Sequence, residues 1–179
     1  VGRWFFVAKD LPDAAALTEY EPPLPTIVRD FQGEPFHSYA RERRVQLQYA
    51  DFPPLMVRAY LAAEDRTFFQ HGGLDYPGIM SAAINNVTSS GRSRGASTIT
   101  QQVAKLLCLG KPFDSNEWKS EGDYVRDCRR SSLSRKAQEA IFALAMEAKY
   151  SKDDILSIYL NRAYMGGGAY GAEAASQRY

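Results

Sequence analysis

The sequence lacks an apolar run long enough to cross a membrane. A spanning helix needs about 18 or more apolar residues in a row, and the apolar run near the start, 4–8, is far shorter. That run is compatible with the tail of an anchor preceding the chain. Because the chain starts at Val1 rather than Met and stops at Tyr179 inside a helical pattern, we expect a piece of a longer polypeptide.

Histidine and cysteine are scarce, which argues against a metal site. His37 and His71 lie far apart in sequence, and Cys108 and Cys128 are not spaced as a CxxC pair, so no known metal-binding motif is present. The two cysteines are either bonded, as an oxidising compartment would allow, or free thiols. The sequence leaves both alternatives open.

Nucleotide-binding fingerprints and a strong net charge are also missing. The glycines at 166–168 do not follow a strand pattern, and no residues mark a nucleophile elbow, although spacing alone does not exclude a Ser-His-Asp triad. The net charge is +1, but residues 91–136 hold ten basic and five acidic side chains. Because the basic block is local, it favours a site for an anionic ligand over the globally basic surface of a nucleic-acid-binding protein. The alternative is a solvated, charged loop.

What is present is a helical sequence of one domain's length. The chain has 179 residues, of which 45% are hydrophobic, enough for a core. The strong β signal lies near the start, where Thr26–Arg29 precedes a turn at 30–33 and where Val45, Leu47 and Tyr49 alternate with polar residues. We therefore predict a lead-in with a small β-hairpin over 1–50 and a mainly α domain over 51–179.

Capping signals predict where the helices begin. Prolines after Asp51 and Asp75 open the first two, and Ser97, Ser134 and Ser151 are interpreted as caps of three later ones. Residues 108–130 have no periodicity and are predicted to be a loop or partly disordered. From Ala172 onward the pattern is helical again.

The first candidate for chemistry is Glu64, followed by Asp65 at the end of an apolar helical segment. A carboxylate where a helix leaves the core suits a general acid or base, because burial and neighbours can tune its pKa. The alternative is a surface acid at a helix C-terminus.

The second candidate is the segment 95–105, in which a glycine precedes a helix start rich in hydroxyl and amide side chains. Free N–H groups at a helix N-terminus bind anions, and Lys105 lies on the face of Gln101. The alternative is a well-capped helix with a polar exposed side.

The third candidate is a cationic cluster formed by Arg129, Arg130, Arg135 and Lys136. Arginine donors match the oxygens of a phosphate or diphosphate. Arg135 and Glu139 are four residues apart and share a helix face, so a plain surface ion pair is the alternative.

Together these segments resemble the peptidoglycan glycosyltransferases, family 51 of the glycosyltransferases, found in class A penicillin-binding proteins and in monofunctional transglycosylases. Four segments resemble its motifs in family order. They are Glu64-Asp65-x-x-Phe68-x-x-His71-x-Gly73, Gly95-x-Ser97-Thr98-Ile99-Thr100-Gln101-Gln102, Arg135-Lys136-x-x-Glu139 and Lys152-x-x-Ile155-Leu156-x-x-Tyr159-Leu160-Asn161. This chain departs from the family in a longer 110–130 connection and in Ser157, where many members have an acid. The family's arginine shortly before the third motif has no match at the same position, and Arg130 or Arg129 takes its place.

The resemblance implies a role for each matching residue. Glu64 and Glu139 are implied to be catalytic, and no metal ligand is implied. The side chains implied to bind substrate or diphosphate are Asp65, Ser97, Thr98, Thr100, Gln101, Gln102, Lys105, Arg130, Arg135, Lys136 and Asn161. Those implied to be structural are Phe68, His71, Gly73, Gly95 and Tyr159.

The resemblance also implies a fold, a reaction and a location. The fold would be the lysozyme-like α fold with a membrane-proximal small lobe, continuing past Tyr179. The reaction would transfer a growing glycan chain onto the 4-OH of lipid II and release undecaprenyl pyrophosphate with inversion. The implied location is the outer face of the cytoplasmic membrane, through an N-terminal anchor.

The same resemblance implies partners, and two rival functions compete with it. Moenomycin-type inhibitors and other cell-wall synthesis proteins are expected partners, nucleic acid is not, and no cofactor is required beyond a divalent ion (Mg²⁺ or Mn²⁺) that the diphosphate could bind. The rival readings are a lysozyme-like muramidase and a catalytically silent scaffold domain.

Overall fold

A computed structural model describes residues 26–39, 47–88, 95–111 and 113–179. These residues are mainly helical, which confirms the mainly α part of the predicted fold class, and none of their helices is both long and apolar enough to cross a bilayer. The helices are α1 (Pro54–Glu64), α2 (Tyr76–Thr88), α3 (Ile99–Leu106), α4 (Glu121–Cys128), α5 (Leu133–Lys149), α6 (Lys152–Arg162) and α7 (Ala172–Arg178).

Two short strands precede the helices. Strand β1 (Thr26–Arg29) pairs antiparallel with β2 (Pro35–Tyr39), and the Asp30 carboxylate accepts two backbone N–H bonds within the connecting turn. The second strand was predicted around Val45–Tyr49, which is wrong for Tyr49, because that residue begins a 3-10 helix (Tyr49–Asp51). Val45 lies outside the described residues.

Local capping explains the helix starts, with two corrections to the prediction. The cap of α3 is Thr98 rather than Ser97, and the cap of α5 is Ser132 rather than Ser134, in each case because that side-chain oxygen accepts the N–H bond three residues on. The predicted capping box of Ser151 and Asp154 at the start of α6 is confirmed.

The segment 108–130, predicted to be a loop, contains α4. Ser120 accepts the N–H of Asp123 and thereby caps this helix. Few apolar residues repeat at helical spacing here, so the periodicity of a packed helix is missing from the sequence.

The core forms where α3, α5 and α6 pack together. Helix α6 is enclosed along most of its length, because Ile155 through Asn161 are all buried. Ile99 and Val103 of α3 and Met146 of α5 are fully buried against it. Each such side chain contributes about 1.5–3 kcal/mol to folding, so the two helices that carry the second and third motifs are held rigidly against the fourth.

Asn161 ties the segment before α1 to this core. Its side-chain oxygen accepts the N–H of Leu47 at 2.9 Å, and its side-chain nitrogen donates to the Leu47 carbonyl at 2.7 Å and to the Ser157 carbonyl at 2.9 Å. Both ends of the buried amide are therefore used by the protein itself.

We expect Asn161→Asp to lower the free energy of unfolding by about 2 kcal/mol or more, because a buried carboxylate cannot donate to the two carbonyls. Urea unfolding measures this loss. The control is Asn85→Asp, at an exposed position of α2, where a change within about 0.5 kcal/mol is expected. Equal losses in the two variants would show that the amide does not hold Leu47.

Candidate active site

Glu64 is the last residue of α1, and its carboxylate is exposed. The side-chain amide of Gln102, on α3, donates to Glu64 Oε2 at 3.1 Å. In the part of the chain that the structure describes, no lysine or arginine forms an ion pair with this carboxylate. Glu64 is thus oriented by an amide and open to a ligand.

The neighbouring carboxylate, Asp65, points inward instead. It is buried, accepts the backbone N–H of Ile99 at 2.9 Å and lies 3.0 Å from His71 Nε2. Because the Gly73 N–H donates to His71 Nδ1, the neutral ring carries its proton on Nε2 and donates to Asp65. Asp65 therefore locks the end of α1 to the start of α3.

Gly73 is a second point of contact between these segments. Its carbonyl accepts the Thr98 hydroxyl at 2.6 Å, and its φ of +94° lies in the left-handed region. A Cβ there would lie 3.1 Å from the Ala143 carbonyl oxygen and from Glu147 Cγ. Glycine is required on both counts, conformation and space.

The third motif places a lysine between a buried acid and a hydroxyl. Lys136 Nζ lies 2.8 Å from Glu139 Oε2 and 3.1 Å from Ser97 Oγ. Glu139 is 1% exposed, whereas the Lys136 side chain is 46% exposed. One face of the ammonium is thus held by the protein, and the remainder is accessible to an anion.

The alternative ion pair between Arg135 and Glu139, suggested by their spacing, is wrong. Arg135 Nη2 donates to the Cys128 carbonyl at 2.9 Å, and Cys108 and Cys128 are joined in a disulfide. Arg130 is exposed and only 3.9 Å from Asp127, while Lys105 is half-exposed on the last turn of α3. The predicted cations are therefore spread over α3, α5 and the end of α4.

A partly buried ionic network joins three motifs, and its central residue was missed by sequence reasoning. Glu147 Oε1 accepts the Thr100 hydroxyl at 2.6 Å and the Lys152 ammonium at 2.7 Å. Lys152 also lies 4.3 Å from the centroid of the Phe68 ring. An acid five residues before Lys152 was a weak signal, because the contact with Thr100 spans 47 positions in sequence.

Burial and the negative charge of Glu64 raise the pKa of two nearby phenols, Tyr159 and Tyr60. Burial raises the pKa of Tyr159 above its ordinary value of 10.0, and the Glu64 carboxylate and Tyr60 raise it further. Burial and Glu64 also raise the pKa of Tyr60, whose hydroxyl donates to Met165 Sδ. Both phenols stay neutral next to the carboxylate.

This arrangement predicts a loss of stability at alkaline pH. Folded Tyr159 keeps its proton above 10.0, where unfolded Tyr159 releases it, so its contribution is complete below 10.0 and is lost as the pH rises. The free energy of unfolding should fall by up to about 1.4 kcal/mol per pH unit. Urea unfolding from about pH 9 to about pH 11 should show a smaller fall in Tyr159→Phe.

The control is Tyr76→Phe, because Tyr76 is exposed. In this variant the free energy of unfolding should fall with pH as much as in the unmodified chain. If the free energy of unfolding of Tyr159→Phe fell with pH as much as that of the unmodified chain, Tyr159 would have the same pKa in the folded and unfolded states.

Apart from Arg135, which is partly buried, the predicted binding residues fall into two groups. Direct contact with a ligand would require the internal group to break hydrogen bonds within the protein, among them the bond that Gln101 Oε1 accepts from the Thr98 N–H. Its members are Asp65, Thr98, Thr100, Gln101 and Asn161. The accessible group is Ser97, Gln102, Lys105, Arg130 and Lys136.

Comparison with known proteins agrees with the four motifs. A family model described as Transglycosylase matches residues 32–179. Penicillin-binding protein 1A of Rickettsia felis is 37% identical over 178 residues, which are 98% of this chain and 20% of that protein. Penicillin-binding protein 1A of Neisseria cinerea is 36% identical over 169 residues, or 94% of this chain and 19% of that protein.

The chain thus spans about a fifth of the length of these relatives. The family match covers most of the chain and includes all four motifs. It confirms the resemblance drawn from those motifs: the chain belongs to the transglycosylase family.

Proposed function

We propose that this chain is the glycan-polymerising domain of a peptidoglycan glycosyltransferase, with the lysozyme-like fold of that family. One observation carries the proposal. A carboxylate and an ammonium are both tied to the segment Ser97–Gln102: Gln102 donates to Glu64, and Ser97 accepts from Lys136. A base and a cation held by one short, rigid segment suit a reaction that activates an alcohol while an anion departs.

Glu64 acts as the general base in this proposal. It takes the proton of the lipid II 4-OH as that oxygen attacks the anomeric carbon of the growing chain. The new glycosidic bond forms as the bond to the diphosphate breaks, and a single displacement inverts the anomeric centre. Because Glu64 is exposed and held by an amide, its carboxylate can reach an incoming hydroxyl without losing an internal partner.

Lys136 stabilises the departing undecaprenyl pyrophosphate. This leaving group is already an anion, so it needs positive charge rather than a proton. Glu139 orients the ammonium, and Arg130, Arg135 and Lys105 add to the local positive charge. A divalent ion stays a prediction: the described residues contain no group of three or more potential ligands, so such an ion would draw its ligands mainly from the diphosphate.

The membrane location is supported by helix α2. Tyr76, Met80 and Ile84 are exposed on it, which suits a small lobe next to lipid and a substrate with a lipid tail. We place the domain on the outer face of the cytoplasmic membrane, behind an N-terminal anchor. A moenomycin-type inhibitor and other cell-wall synthesis proteins belong to the same proposal.

The test uses labelled lipid II in detergent micelles, with polymer separated from monomer by gel electrophoresis. Polymer together with release of undecaprenyl pyrophosphate is the expected result. The same protein mixed with polymeric peptidoglycan should release no soluble fragments. Fragment release without polymer formation would favour a muramidase, and neither product would favour a silent scaffold.

A further inference from the structure

The connection between the second and third motifs is closed by a buried disulfide. Cys108 follows α3 and is 3% exposed, whereas Cys128 ends α4 and is 5% exposed. Between them lie α4 and the segment of 110–130 that is longer than is usual in the family. The disulfide therefore fixes both ends of this insertion to the core.

One arginine is held at the junction. Arg135 Nη2 donates to the Cys128 carbonyl at 2.9 Å and lies 4.0 Å from Cys108 Sγ. Its Nε is buried and, among the described residues, has no hydrogen-bond partner. The side chain as a whole is only partly buried, and a buried donor without a partner is destabilising, so the bond from Nη2 to the Cys128 carbonyl is the contact that holds the guanidinium.

The backbone at this junction is constrained as well. Cys108 and Leu109 have φ of 52° and 55°, in the left-handed region that side chains other than glycine rarely adopt. Such conformations persist where surrounding structure over-determines them, and they cluster at functional sites. Here they are Cys108, which is one half of the disulfide, and Leu109, the residue after it.

Resting on the proposed function, we propose that the Cys108–Cys128 disulfide is a positioning element that holds the Arg135 guanidinium for stabilisation of the departing diphosphate. Neither cysteine touches the substrate. Their part is to fix the Cys128 carbonyl, which anchors one arm of the guanidinium. Without the bond this carbonyl is free to move, and Arg135 is displaced relative to Lys136, the next residue of α5.

The test is a double-mutant cycle on polymer formation by the 179-residue chain. Its four members are the unmodified chain, Cys108→Ala/Cys128→Ala, Arg135→Ala and the combined variant. Removing the disulfide should lower kcat/KM roughly tenfold to 100-fold when Arg135 is present, since a misplaced group can cost about 100-fold. In the Arg135→Ala background the same change should cost less than about twofold, since coupled residues are non-additive.

A second measurement reports the position of Arg135 without any reaction. Hydrogen exchange of the Arg135 Nε–H, followed by ¹⁵N nuclear magnetic resonance, should be slow in the unmodified chain and clearly faster in Cys108→Ala/Cys128→Ala. The matched control is Tyr124→Phe, which removes a bond to the Lys111 carbonyl within the same insertion and should leave both exchange and kcat/KM unchanged.

Three outcomes would overturn the proposal: unchanged exchange after loss of the disulfide, the same fold-loss in both Arg135 backgrounds, or full activity of Arg135→Ala. Absence of polymer with the unmodified chain is a different result. It would count against the proposed function, and the exchange experiment would still decide whether the disulfide holds Arg135.

Discussion

Glu64→Gln is expected to lower the rate of glycan polymerisation by about 100- to 10,000-fold, the usual contribution of a general base. Glutamine keeps the shape of the side chain but cannot take the proton of the acceptor hydroxyl. The rate is measured with labelled lipid II as the only substrate. KM should change little, because substrate binding depends on other side chains.

The fold should be unaffected by this substitution. Glu64 is exposed and, among the described residues, has no ion pair, so the free energy of unfolding should stay within about 0.5 kcal/mol. Glu117→Gln, at another exposed glutamate, is the matched control and should polymerise at the normal rate. A normal rate in Glu64→Gln would remove Glu64 as the base.

Lys136→Met is expected to lower both stability and activity. It leaves the buried Glu139 carboxylate without the ammonium that lies 2.8 Å away. Breaking a fully buried ion pair costs about 3–5 kcal/mol. Because half of the Lys136 side chain is exposed, we expect about 2–3 kcal/mol, measured by urea unfolding.

Adding Glu139→Gln to this variant should separate the two effects. The neutral amide removes the uncompensated buried charge, so most of the lost stability should return, whereas polymerisation should stay slow because the cation at the leaving group is still missing. Lys119→Met, at an exposed lysine, is the control for both measurements. A double variant that regains its polymerisation rate would show that the Lys136 charge does not act on the diphosphate.

Sequence reasoning succeeded where the determinants are local. The capping box of Ser151 with Asp154 and the mainly α class follow from contacts within a few residues. The four motifs were identified from their residue types and their order along the chain, and the family model covers all four. The placement of the individual site residues remains a prediction that the substitutions above test.

Sequence reasoning failed where a polar side chain has several possible partners and the packing of the helices determines which one it contacts. Helical spacing allowed Arg135 to pair with Glu139, yet Arg135 donates to the Cys128 carbonyl, and Lys136 pairs with Glu139 instead. Glu147 was missed for the same reason: its partner Thr100 is distant in sequence. Periodicity reports which face of a helix is apolar, but not which polar group lies across from it.

The amino-acid sequence by itself determined the helical class, the order of the motifs and the residue types available for chemistry, since these depend on short-range preferences. The tertiary structure alone decided that Glu64 faces out while Asp65 locks the interior, and that Lys136 rather than Arg135 pairs with Glu139. The physical reason is that burial and hydrogen-bond partners arise from packing between helices that are far apart along the chain.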